Sequence, residues 1–150
     1  MLDKYKKHIE ERAAQGLPPL PLNAEQTAAV VDSLKSASDN EGLFLLDLLS
    51  QNVPPGVDQA AYVKAGFLSA VAKGDRSCAV LDRKLAAQLL ATMLGGYNVQ
   101  SLIDLLDDDE IAPVAAKGLS ETILIFDAFH DVFKKSKSTF YRNCFTNFGN

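Results

Sequence analysis

Proline and glycine punctuate this chain between its apolar-periodic segments, with few inside them, and that placement constrains the fold more than any other feature. Apolar residues recur every three or four positions almost throughout, which is the pattern of amphipathic helices joined by short turns. A first helix is expected from about Asp3 to Gln15, with Gly16 taking the left-handed conformation that closes it. The segment LPPLPL (17–22) cannot be helical, because its prolines remove backbone donors and bias their neighbours to extended geometry. Asn23 with Gln26 three residues on forms a capping box. It opens a helix that places Ala28, Val31 and Leu34 on one face.

A polar loop over SASDNEG (36–42) leads to LFLLDLL (43–49), apolar nearly all round and therefore expected at the centre of the core. After the turn NVPPGVD (52–58), Asp58 is the expected N-cap of QAAYVKAGFLSAVAK and Gly74 its stop. Residues Asp75 to Leu81 read as a loop. Asp82 starts RKLAAQLLATML, which ends at Gly95–Gly96. Asn98 is expected to cap VQSLIDLL, and a last long helix is expected from about Glu110 to Lys135, with Pro113 in its first turn, where a missing donor costs nothing. No run reads as a strand, so the fold class is all-α, with six or seven helices.

The sequence also echoes itself. FLLDLL (44–49) resembles SLIDLL (101–106), and KAGFLSA (64–70) resembles AKGLSET (116–122). Each copy places a glycine, Gly66 or Gly118, inside the longer helix, at a cost of ~1 kcal/mol relative to alanine. Close approach of a neighbouring helix is the expected use of both. Antiparallel helix pairs repeating in this way indicate a short α-solenoid of the HEAT or armadillo kind.

Composition excludes several functions. Apolar residues make up 47% and charged residues 23% of the 150, enough for one domain with a core. A net charge of −4 and a pI near 5.1 argue against a basic nucleic-acid-binding surface. The basic residues gather at the ends, Lys4, Lys6, Lys7 and Arg12 in front and Lys134, Lys135, Lys137 and Arg142 behind, and read as solvated helix faces or tails. Two cysteines, Cys78 and Cys144, are too few and too distant for a disulfide framework or a zinc site, and fit reduced thiols in the cytoplasm. No apolar run reaches the ~18 residues of a membrane span, and the charged N-terminus lacks the apolar centre of a signal peptide.

Catalytic constellations are equally thin. His130 has Asp127 on its own helical face, which reads as a surface contact ahead of a carboxylate–histidine pair. His8, among Lys4, Lys7, Glu11 and Arg12, reads as solvent-facing. The acidic run DLLDDDE (104–110) lacks the alternation and central glycine of a calcium loop, and Asp107 to Glu110 are expected to favour the positive end of the following helix. LGGYN (94–98) matches neither a phosphate-binding loop nor a dinucleotide fingerprint, and reads as a helix corner in which Tyr97 buries its ring. No catalytic, cofactor-binding or metal-ligating residue is assigned.

Longer strings carry a resemblance. MLDKYKKHIEERAAQGLPPLPLNAEQ (1–26), FLLDLLSQ (44–51), VPPGVDQAAYVKAGFLSAVAKGD (53–75) and GGYNVQSLIDLLDDDEIAPVAAKGLSETILIFDAF (95–129) resemble the N-terminal HEAT-like domain of the bacterial aconitase B family. The resemblance covers residues 1–133 and leaves 134–150 as a divergent basic and aromatic tail. It implies a parent enzyme, a lyase of the citric acid cycle that interconverts citrate and isocitrate through cis-aconitate on a [4Fe–4S] cluster held by three cysteines of downstream domains. It implies no catalytic residue and no cofactor in this chain, whose expected function is protein–protein contact, either with other aconitase domains or with itself. The alternatives are a truncated fragment of the enzyme and an RNA-binding regulator, the latter because Phe140, Tyr141, Phe145 and Phe148 alternate with basic residues. The tail reads first as packing or poorly ordered.

Overall fold

The computed structural model of the chain describes residues 2–122 and 128–136, and every regular element among them is an α-helix. They are α1 (Leu2–Ala14), α2 (Ala24–Leu34), α3 (Asp39–Gln51), α4 (Gln59–Lys73), α5 (Arg83–Ala91), α6 (Val99–Leu105), α7 (Ala112–Glu121) and α8 (Phe129–Ser136). Neighbours in space run α3–α2–α4–α5–α7–α6, so α4 and α5 are the two central helices of a short solenoid-like stack.

Local chemistry sets most helix ends as expected. Asn23 Oδ1 accepts from the Gln26 N–H while Gln26 Oε1 accepts from the Asn23 N–H, completing the capping box at 2.8 and 2.9 Å. Asp58 and Asp82 accept from the first-turn N–H groups of Ala60 and Leu85. Gly16 and Gly74 close α1 and α4 with φ of 68° and 84°. Pro113 lies in the first turn of α7.

Four expectations need correction. The loop at 36–42 is shorter, because α3 already begins at Asp39. That helix is not central: Leu45, Leu48 and Leu49 are buried against α2, but Leu43 is exposed. The expected helix over 110–135 is broken at Thr122, which is extended (φ −82°, ψ 121°) and whose Oγ1 donates back to the Gly118 carbonyl. A β-branched residue that satisfies a late carbonyl with its own hydroxyl readily leaves the helix. This break helps raise the expected six or seven helices to eight among the described residues. The repeat does not pack as it reads, since α6 lies on α7 whereas α3 lies on α2 instead of α4.

The first helix is held through the proline segment. Tyr5 is buried, and its hydroxyl donates to the Leu20 carbonyl at 2.6 Å. Burial pushes that phenol above its ordinary pKa, against a bond from Asn52. His8 is not idle in solvent: its Nε2 accepts from the Leu20 N–H at 3.0 Å. An extended LPPLPL has no ladder to bond to, so these side chains take its free backbone groups. The expected solvated face of α1 is thus partly engaged, with Arg12 Nε donating to the Pro18 carbonyl and Lys6 lying 5.2 Å from the Phe44 ring centre.

The two mid-helix glycines differ. A Cβ on Gly118 would come within 2.5 Å of the Ala91 Cβ, so α5 and α7 cross there at a distance only glycine allows. A Cβ on Gly66 would meet nothing within 4 Å, which overturns the expectation of close approach at that position. Opposite outcomes are therefore expected from one chemical change. Gly118→Ala should lower stability by about 1–3 kcal/mol through overpacking. Gly66→Ala should raise it by up to ~1 kcal/mol through helix propensity. Denaturant melts of the two variants check this, and a destabilising Gly66→Ala would contradict it.

Candidate functional site

The Gly95–Gly96 corner has φ of 96° and 92°, backbone that residues with a Cβ adopt at a cost of ~1–2 kcal/mol. Gly95 carries a second constraint. A Cβ there would lie 2.4 Å from the carbonyl of Gly56, itself at φ 85° in the turn before α4. The two turns therefore meet backbone to backbone. Tyr97 locks them further, its hydroxyl donating to the Val57 carbonyl at 3.1 Å and its ring meeting that of Tyr62 edge-on at 5.4 Å. The ring is only half-buried, so Tyr97 fastens the corner through its hydroxyl as well as by packing.

Asn98 does not cap α6. Its backbone is helical and its amide nitrogen instead donates to the carbonyls of Leu90 and Met93, at 2.7 and 3.2 Å, closing the end of α5. The side chain is fully buried, and its Oδ1 has no partner among the described residues. The amide joins the last turn of α5 to the residues that follow it, and this takes precedence over one N–H of the next helix.

Three cavities lie near this corner, each lined in part by residues of the stretch 91–94. One of about 490 Å³ lies between α5 and α7, walled by Gln88, Pro113, Lys117 and Glu121 among others. A second of about 380 Å³ is lined by Met93, Leu94, both corner glycines, Asn98 and Thr122. The third, about 140 Å³, is lined by Ser50, Val53, Pro54, Pro55, Lys64 and Leu94. Around them Val57, Tyr62 and Leu94 stand 73%, 60% and 67% exposed. Large apolar groups held in water at a fixed corner are what a partner surface covers.

On another side the acidic run is paired. Lys73 Nζ meets Asp104 at 2.8 Å, Arg83 bonds both Asp108 and Glu110, and Lys135 bonds Asp107. Arg83 also donates from Nε to the Ala72 carbonyl, joining α4, α5 and the turn before α7. The bond from Arg83 holds the Asp108 carboxyl below its ordinary pKa; burial opposes this, and the Ile111 and Glu110 N–H groups reinforce it. For Asp104, burial by itself raises the pKa, but bonds from Lys73 and Gln100 leave it lowered. Asp108 thus contributes to the turn before α7 by accepting N–H bonds from Glu110 and Ile111, where the sequence suggests only a favourable charge at the start of the helix. The partners Arg83 and Lys73 were missed because they lie 25 and 31 residues away in sequence.

Chemistry-bearing residues do not converge. His130 is exposed with its ring edge-on to Phe129, and the Asp127 expected beside it lies outside the described residues. Cys78 is half-buried with Sγ 3.7 Å from the Leu34 carbonyl, while Cys144, Lys137, Arg142 and the aromatic residues at 140–148 lie outside the described residues. No group of three or more metal-ligating side chains occurs among the described residues, and no helix among them is long and apolar enough to cross a membrane.

Comparison with known proteins gives one consistent result. The family model for the aconitate B N-terminal domain matches residues 4–148, a span that includes most of the stretch left unmatched by the resemblance. The chain is 58% identical over 137 residues to an aconitate hydratase B of Pseudomonas aeruginosa, covering 91% of this chain and 16% of that protein. It is 56% identical over 138 residues to one from Escherichia coli, covering 92% and 16%. It is 43% identical over 139 residues to one from Helicobacter pylori, covering 91% and 16%. The chain therefore spans about 16% of the length of the relatives it matches.

The ion pairs give a pH dependence with a defined sign. The Asp108 carboxyl is depressed in the folded chain, so its stabilisation is present above the ordinary carboxylate range and is lost as pH falls through the folded pKa. The melting temperature should fall as pH drops below about 4. In Asp108→Asn the pH 7 stability should be lower and the acid-induced drop smaller. Thermal melts by circular dichroism check this, and an unchanged acid slope would contradict it.

Proposed function

The chain belongs to the aconitate B N-terminal domain family, and from that premise we propose that it is a non-catalytic helical module whose function is protein–protein contact. Its partner is the remainder of an aconitate hydratase B or a second copy of itself. The setting is cytoplasmic and the parent activity is citrate–isocitrate isomerisation in the citric acid cycle. The observation that carries this reading is the corner face, where two glycine turns locked backbone to backbone hold Val57, Tyr62 and Leu94 out in water. Exposing such groups has no benefit to an isolated fold, and covering them is favourable at ~25 cal/mol per Å².

The [4Fe–4S] cluster of the parent enzyme does not fit this chain. Three thiolates are needed, and the sequence has two cysteines, one of them half-buried against a backbone carbonyl. The catalytic contribution is accordingly assigned to other parts of such an enzyme, and this chain supplies a shaped helical surface to them. That surface is rigid where it matters, because its corner is fixed by backbone contact and by the Tyr97 hydroxyl.

Light scattering tests the proposal. The chain mixed with the remaining domains of an aconitate hydratase B, or concentrated alone, should form a complex of defined mass. A monomer that ignores both would contradict it. Aconitase turnover by this chain alone, after iron–sulfur reconstitution and at the rate of a complete enzyme, would overturn the non-catalytic assignment.

A further inference from the structure

Among the cations of the described residues Lys64 stands apart. It lies in the middle of α4 with 8% of its surface exposed, and its Nζ donates to the Ser50 carbonyl at 3.0 Å. An ammonium carries three donors, and no carboxylate pairs with this one among the described residues. Lys73, Arg83 and Lys135 each hold at least one. Burial pushes the Lys64 amine below its ordinary pKa, with no carboxylate among the described residues to offset it. A buried charge without a counter-ion is costly, and an arriving counter-charge would relieve that cost.

The surroundings indicate what arrives. Lys64 and Ser50, whose carbonyl takes the amine's bond, both line the cavity of about 140 Å³. Its other walls include Val53, Pro54, Pro55 and Met93, and its rim includes the exposed Leu94. A single water needs only ~10–15 Å³ by such a measure, so a carboxylate with its methylene fits. A free inorganic anion would satisfy the charge but leave the apolar rim wet. A carboxylate carried between apolar side chains satisfies both.

We propose that the Lys64 cavity is an acceptor slot for an aspartate or glutamate of a protein partner, seated by apolar neighbours of that residue on Leu94 and the adjoining prolines. The proposal rests on the reading of this chain as a docking module and names the chemistry of its partner. Covering the slot excludes water, and the ion pair strengthens as the local dielectric falls. Charge gives the slot its selectivity, while the rim supplies the covered area.

The test is an amide NMR titration of the full chain with acetyl-Leu-Asp-Leu amide, its Asn counterpart, and sodium acetate. The Asp peptide should shift resonances within residues 50–64 and 91–98, and should bind about tenfold more tightly than the Asn peptide and than acetate. In Lys64→Met the Asp and Asn peptides should bind alike. Where that variant fails to fold by circular dichroism, Leu94→Glu on the exposed rim is decisive: it should weaken the Asp peptide about tenfold by like-charge repulsion. Equal binding of the two peptides to the natural chain, shifts elsewhere or none, acetate binding as tightly as the Asp peptide, or an unaffected Leu94→Glu would each overturn the slot. Complex formation by light scattering that survives in Lys64→Met would overturn the slot alone and leave the docking function standing.

Discussion

Gly56 and Gly95 meet backbone to backbone, with no room for a Cβ on Gly95. That contact pins the turn before α4 to the turn after α5, and α4 and α5 are the central pair of the stack. The helices outside them inherit their positions. α2 lies on α4, α7 lies on α5 through the Gly118–Ala91 crossing, and α3 and α6 pack on the outer sides of α2 and α7. At the α5–α7 crossing and at the Gly56–Gly95 contact a missing side chain sets the approach, and the buried leucines fill the rest of the core.

The same contact shapes the exposed face. By closing the two turns together it places Val57, Tyr62, Tyr97 and Leu94 around one corner, with the Lys64 cavity beside them. The ion pairs of Lys73, Arg83 and Lys135 lie on the run from Asp104 to Glu110 and tie α4, α5 and α8 to the turns around α6 and α7. Paired charges stabilise a fold modestly, whereas the buried Lys64 amine bonds the Ser50 carbonyl and has no carboxylate partner among the described residues.

How much of this was legible in the sequence follows from the range of the interactions. Caps at Asn23, Asp58 and Asp82 and stops at Gly16 and Gly74 were readable because a cap needs only its own first or last turn. The all-α class followed from periodicity and from where proline falls. Gly66 and Gly118 look alike in sequence and differ only in whether another helix crosses them, which no local pattern records. Asn98 had the right residue type for a cap, but buried carbonyls of the previous helix claimed it. The break at Thr122 interrupts an apolar pattern that runs on without a glycine or proline to mark it. Lys64 was read only as part of a helix, because its burial against the Ser50 carbonyl is a fact of three-dimensional packing.

On the reading proposed above, this chain docks through the corner where the two glycine turns meet. Hydrogen exchange measured by mass spectrometry, on the chain alone and in complex with the remaining domains of an aconitate hydratase B, tests it most directly. Slower exchange on binding is expected in residues 53–64 and 91–98, with α1 and α3 unchanged. Protection confined to α1 and α3, with the corner exchanging as fast as in the free chain, would contradict the account.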